Sequence, residues 1–197
     1  RMEYQLFALL ANREVFKQSV GIIGTGKMGM GLAERLIDDP STFRHIMLYN
    51  GHNNERVEFV RQTIENIIHQ RGKSDAVTVS TADHAAMNVL CGTVVMTACR
   101  AGRREDVVRV GDFLHYNCEL VAEAATHYRG NTRSNFIMAT NGLDHMAYTF
   151  LANSAVWERK EPSFVHIEGL FLPDLERILA SLREEAMLAN VFDPTKE

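Results

Sequence analysis

The sequence has little of what marks several common kinds of site. Its 8 histidines stand singly, and neither H-x-x-x-H nor C-x-x-C occurs, so a metal centre is not expected. The 3 cysteines, Cys91, Cys99 and Cys118, are an odd number without framework spacing. They read as reduced thiols of an intracellular protein, cytoplasmic or in an organelle matrix, and Cys118 falls in a helical pattern as a small core residue. There is no excess of positive charge: 21 basic against 25 acidic residues give a net charge of -4. That balance offers no electrostatic ground for nucleic acid or an anionic membrane as partner. No apolar run approaches the ~20 residues that span a bilayer, and there is neither an internal repeat nor a low-complexity segment.

What remains is a chain of 197 residues with 46% hydrophobic and 23% charged side chains, the profile of a soluble globular domain with a sizeable core. Residues 1–17 carry Leu6, Leu9, Leu10 and Phe16 at roughly helical intervals, interrupted by Glu3, Arg13 and Glu14. This reads as a short amphipathic helix or arm, too charged for a signal-peptide core. A start at Arg1 rather than at Met2 is expected of a fragment. Residues 18–169 read as one nucleotide-binding domain, and 170–197 as a helix that resembles the start of a second domain.

The most informative stretch is GIIGTGKMGMGLAERL, residues 21–36. Gly21 to Lys27 nearly spells the phosphate loop of an ATPase, but Met28 stands where that loop needs a hydroxyl to hold Mg²⁺. Gly24, Gly26 and Gly29 form a complete G-x-G-x-x-G, with the apolar run SVGII before it and helical spacing after it. In such a fingerprint the first glycine permits a tight turn, the second lets backbone approach a pyrophosphate, and the third lets helix pack on strand. The plainer alternative is an ordinary strand-to-helix turn.

Strands are expected at 45–49 (HIMLY), 76–80, 92–98, 135–140 and 163–169 as well as before the glycines. Helices are expected at 55–70, with Val57, Val60, Ile64 and Ile67 or Ile68 on one face, at about 107–127, at 143–155, and at the end of the chain. Alternation of strand and helix implies parallel pairing through right-handed crossovers. The expected fold is α/β: a doubly wound, mainly parallel six-stranded Rossmann-like sheet with helices on both faces. Ligands of such sheets lie beyond the carboxyl ends of the strands. The candidate contacts for NAD or NADP are therefore Gly24, Gly26, Lys27, Met28, Gly29, Asn50, Thr97 and Ala98, with Asn141 further along. Asn50 brings no negative charge where an NAD site usually has Asp or Glu, so a 2′-phosphate is permitted, with His52 and Arg56 as its partners. An Asn-Gly turn without ligand is an equal reading there.

The segment TVVMTACRAGRREDVVRVGDFLHYN resembles the lactate and malate dehydrogenase family, in which a strand ends in Thr-Ala-Gly, a mobile loop carries two arginines six apart, and a helix Asn follows. Arg103 and Arg109 have that separation, and Asn117 stands at the helix position. IMATNGLDHMAY is similar to the family's strand, Asn-Pro and x-Asp segment, and EGLFLPDLERIL keeps its D-x-x-R spacing at Asp174 and Arg177. The resemblance runs from about residue 20 to 182. It implies that Arg177 holds the carboxylate of a 2-oxo acid, that Arg109 polarises the ketone as a lid closes, and that Asp174 orients a catalytic histidine. It also implies that Arg103 favours dicarboxylates such as oxaloacetate and malate, and that Asn141 orients substrate and nicotinamide. A homodimer is common in the family. Read from the residues alone, Asp174 and Arg177 are an i, i+3 ion pair on a helix, worth ~0.2–0.5 kcal/mol.

The family's proton-donating histidine belongs to a Gly-x-His-Gly segment that does not occur here; His145 and His166 read as packed or partly exposed histidines. Cys99 and Gly142 depart from the family's Gly and Pro, the lid lacks its usual Gly, and Pro173 precedes Asp174. The expectation is that these 197 residues alone do not transfer hydride. GIIGTGKMG and the Asn50 turn also resemble pyrroline-5-carboxylate reductase and the β-hydroxyacid dehydrogenases, which favour NADP. A non-catalytic nucleotide-sensing or interaction module is the third reading.

Overall fold

A strand covered on both faces has no polar side to show to water, so its sequence is apolar without alternation. Two segments meet that condition completely: β1 (Ser19–Ile23) and β4 (Thr93–Met96) are buried at every position. The computed structural model describes residues 13–51, 53–99, 110–131, 133–140 and 143–154. Besides these two strands it contains β2 (His45–Tyr49), β3 (Thr78–Thr81) and β5 (Asn135–Met138). All five pair in parallel in the order β3-β2-β1-β4-β5, which puts the two fully buried strands at and next to the centre. The sixth strand expected at 163–169, and the helix after it, lie outside the described residues, as do residues 1–12.

The helices are α1 (Arg13–Lys17), α2 (Lys27–Leu36), α3 (Asn54–Gln70), α4 (His84–Leu90), α5 (Val110–Thr126) and α6 (Leu143–Ser154). Alternate residues of the central strands feed two separate cores. Val20, Ile22, Ile46, Leu48, Val95 and Ile137 pack under α2 and α3. Ile23, Val94, Met96, Phe136 and Met138 pack with residues of α4, α5 and α6 on the other face. Helices thus cover both faces, and the doubly wound α/β arrangement read from the sequence is the one observed. Within α3 the buried residues are Val57, Val60, Ile64 and Ile68, the expected face.

Two differences from the sequence reading stand out. β3 begins at Thr78 rather than 76, because Ala76 and Val77 close a turn onto the Lys73 carbonyl. Val77 still packs in the core at 2% exposure. The third and fourth strands are joined by α4, which the sequence reading did not contain. Its seven residues are capped by Asp83, whose carboxylate accepts the Ala86 N–H at 2.7 Å, and only Met87 and His84 are buried. The described part of α5 begins at Val110, and its expected start at about 107 lies outside the described residues.

α4 brings His84 into an aromatic cluster. Its ring is stacked on His127 at 4.7 Å, lies 4.2 Å from Tyr49, and places Nδ1 3.2 Å from the Tyr128 hydroxyl. Tyr128 in turn packs on Phe136 and Phe150, tying α4 to β5 and α6. Burial, reinforced by His127 and opposed by Asp83, lowers the His84 pKa from 6.5 to about 4. Between those values the unfolded chain takes up a proton that the folded chain refuses. Stability is therefore full above pH 6.5 and declines as pH falls toward 4, by at most about 3 kcal/mol from this group. Urea denaturation across pH 4 to 7 should show this slope, and His84→Gln should flatten it.

Candidate functional site

The carboxyl end of β1 is held against the carboxyl end of β4. The Thr97 N–H donates to the Ile23 carbonyl at 2.8 Å, and its hydroxyl donates to Gly24 O at 2.8 Å. On the other side the Gly24 N–H donates to Tyr49 O at 2.8 Å. Gly24 itself has φ +103°, and a Cβ there would lie 2.5 Å from the Ala98 nitrogen. No side chain fits, and an L-residue would be strained. At Gly29 a Cβ would run into the Gly24 carbonyl oxygen and lie 2.9 Å from Thr97 Oγ1. The first and third glycines are therefore required by the protein's own packing.

Gly26 is different. Its φ of -74° suits any residue, and among the described residues nothing lies within 4 Å of where its Cβ would be. It is the N-cap of α2 and has no side chain to cap it, whereas α3 and α4 are capped by Asn53 and Asp83. A helix start leaves amide hydrogens without intrahelical partners and carries positive dipolar charge. Open space over uncapped amides, beside the β1–β4 crevice, has the form of a pyrophosphate seat. The Thr25 hydroxyl, buried in the same turn, has no hydrogen-bond partner among the described residues. Lys27 is exposed beside it, while Met28 is buried in the core under α2 and can offer a ligand only its backbone amide. The position that lacks the ATPase hydroxyl is thus a packing position.

Asn50, at the end of β2, reaches back to the same turn: its Oδ1 accepts the Thr25 N–H at 3.2 Å. Arg56, in the first turn of α3, donates from Nη2 to the Thr25 carbonyl at 3.4 Å. A cleft of about 370 Å³ opens next to Asn50, floored by Leu48, Val57 and Ala82 and rimmed by Asn50, Asn54 and Asp83. Glu58 also lines it, its carboxyl held down to about 2 by hydrogen bonds from Arg61 and Gln62.

On the β4 side Thr97 is buried, Ala98 forms the wall against Gly24, and Cys99 is an exposed free thiol. Asn117 of α5 is fully buried and hydrogen-bonds the Cys99 thiol; burial nevertheless raises that thiol's pKa. The structure thus brings Gly24, Gly26, Lys27, Gly29, Asn50, Thr97 and Ala98 to one crevice, with Asn117 behind it. Arg103, Arg109, Asn141, Asp174 and Arg177 lie outside the described residues, as does His52. His145 is exposed on α6. Among the described residues no group of three or more His, Cys, Asp or Glu could hold a metal ion, and no helix is long and apolar enough to cross a membrane. The Asn50 and Arg56 bonds to Thr25 are the part of the site that sequence reasoning missed, since nothing in the local pattern ties residues 25 and 31 positions apart.

The fold recurs in solved structures. A lactate dehydrogenase from a Medee basin deep-sea metagenome library superposes with a TM-score of 0.59 at 19% identity, covering 71% of this chain and 43% of its own. The malate dehydrogenase of Picrophilus torridus gives 0.61 at 18% identity, with 71% and 43% covered. The lactate dehydrogenase of Eimeria maxima, solved with NADH and oxamate, gives 0.58 at 18%, with 74% and 41% covered. The fold is the Rossmann-like α/β fold that these dehydrogenases also contain. The chain spans less than half the length of each of these enzymes. Residues 19–111 match the family model described as NADP oxidoreductase, coenzyme F420-dependent. No curated protein matches the sequence significantly.

The three glycines should separate under mutation. Gly24→Ala and Gly29→Ala should each cost about 2–4 kcal/mol, from backbone strain and forced contacts. Gly26→Ala should stay within about 1 kcal/mol of the wild type while weakening dinucleotide binding at least about tenfold. Thermal denaturation and calorimetric titration of the same three variants check both halves.

Proposed function

We propose that this chain binds a nicotinamide dinucleotide with its pyrophosphate over Gly26 and the start of α2, and serves as the nucleotide-binding part of an oxidoreductase acting on a 2-hydroxy or 2-oxo dicarboxylic acid. The observation that carries the first half is the contrast among the glycines. Two are demanded by packing, and the third leaves open space over uncapped helix amides. The residues present fit the cofactor, which when bound supplies hydride chemistry. The chain's own share is to cradle the anion with backbone N–H groups and to shape the crevice with Gly24, Thr97 and Ala98.

Support for the second half comes from the order of residues around β4. β4 runs directly into Thr97-Ala98, the arginine-rich segment follows, and α5 then presents Asn117 at the back of the crevice. In this reading Arg177 grips the substrate carboxylate in a two-pronged pair, Arg109 polarises the carbonyl, Arg103 takes a second carboxylate, and Asn141 orients substrate and nicotinamide. Asp174 orients a proton-donating histidine. A second reading, an NADP-dependent reductase of the pyrroline-5-carboxylate reductase or β-hydroxyacid dehydrogenase type, is favoured by the match of residues 19–111 to an NADP oxidoreductase model.

Calorimetric titration of the chain with NADH and with NADPH should give micromolar binding of at least one. Absence of both would reduce the glycine turn to a structural connection. Added to the dinucleotide-saturated chain, oxaloacetate should then raise the melting temperature, and Arg177→Ala should remove that rise. A rise with pyrroline-5-carboxylate and none with oxaloacetate would select the second reading.

A further inference from the structure

The Thr25 peptide units lie between the pyrophosphate seat and the end of β2, and they are gripped from both sides. Asn50 Oδ1 accepts the Thr25 N–H, and Arg56 Nη2 donates to the Thr25 carbonyl. Both side chains stand where a dinucleotide site reads the adenosine ribose. Carboxylates that accept from a 2′,3′-diol need free acceptor oxygens. Here the Asn50 oxygen already accepts from Thr25, which takes one of its two lone pairs, and it carries no charge, while Arg56 offers N–H donors alone. Donors without acceptors suit phosphate oxygens rather than a diol.

Along α3 and at its C-cap the other two arginines are held by carboxylates. Arg61 is paired with Glu58 and Glu65, and Arg71 with Glu34 and Asp38. Among the described residues no carboxylate pairs with Arg56, and its bond to Thr25 O, at 3.4 Å, is at the long limit for a hydrogen bond. Two acids that line the neighbouring cleft are otherwise occupied: Glu58 holds Arg61, and Asp83 caps α4. Asn53 satisfies the Arg56 backbone N–H at 2.9 Å, which fixes the first turn of α3 and so the root of the arginine.

We propose that Arg56 selects a dinucleotide bearing a 2′-phosphate over one with a free diol, while Asn50, through its bond to the Thr25 N–H, holds the phosphate turn in place. This rests on the dinucleotide reading above. A 2′-phosphate draws one or two guanidinium N–H groups of Arg56 and the Asn50 amide, while the Asn50–Thr25 bond persists and keeps the turn in place. Asn50→Asp is the informative counter-variant, since a carboxylate still accepts the Thr25 N–H but repels the 2′-phosphate.

The test uses the whole chain and two probes that differ by the 2′-phosphate alone, 5′-AMP and adenosine 2′,5′-bisphosphate. The wild type should bind the bisphosphate at least about tenfold more tightly, a preference that weakens as salt rises. Arg56→Gln should lose that preference with 5′-AMP binding and melting temperature little changed, and Asn50→Asp should lose or invert it. Equal binding of both probes by the wild type overturns the proposal. So does an equal loss of both in Arg56→Gln, which would make the arginine a structural clamp alone. If neither probe, nor NADH, nor NADPH binds, the dinucleotide reading has itself failed and the proposal falls with it.

Discussion

The contact between Gly24 and the backbone of Ala98 is the constraint on which the site depends. β1 and β4 are adjacent and both fully buried, so their exits must part company within a residue or two of the sheet. β1 turns into α2 through a glycine at φ +103°, with no room for a single carbon atom against Ala98. Thr97 ties the two exits together through Ile23 O and Gly24 O, and Gly29 lets α2 begin directly on that turn. The crevice is thus a by-product of strand order: at the point where the winding reverses, neighbouring connections leave to opposite faces. Its position is fixed by core packing, and its chemistry comes from what the turn leaves uncapped.

The two cores make this arrangement rigid in different ways. Under α2 and α3 the packing is aliphatic, with Val20, Ile22, Leu32, Leu36, Ile46, Leu48, Val60 and Ile64 all at or below 1% exposure. On the other face it is aromatic and sulfur-rich, with Tyr128, Phe136, Phe150, Met87 and Cys91 around His84. Burial alone pushes the Cys91 thiol up to about 12, so it behaves as a small apolar residue. Each surface ion pair adds little, though Arg71 joins the ends of α2 and α3 through Glu34 and Asp38 at 2.6 and 2.9 Å.

Much of this was legible from the residues. The three-glycine turn and the apolar runs at β1 and β4 could be read because buried parallel strands and tight turns restrict residue choice severely. The apolar face of α3 was readable because seventeen residues give nearly five turns of repeat. α4 was not, since seven residues give too little periodicity and its anchors, His84 and Met87, signal nothing by type. The limits of β3 were blurred because Val77 is buried without being in the strand. At the site the glycines announced themselves, but their different jobs did not: only the space around each shows which the fold requires. Likewise the grip of Asn50 and Arg56 on Thr25 is a tertiary fact, made by bringing the ends of β1 and β2 side by side.

The central claim is that α2 begins uncapped because an anion takes the place of the cap. Amide chemical shifts of the ¹⁵N-labelled chain during titration with ADP test it most directly. The account predicts that the largest changes fall on the amides of residues 25–29, with smaller ones at Ala98 and Asn50. Changes confined to other parts of the chain, or none at saturating ADP, would contradict it.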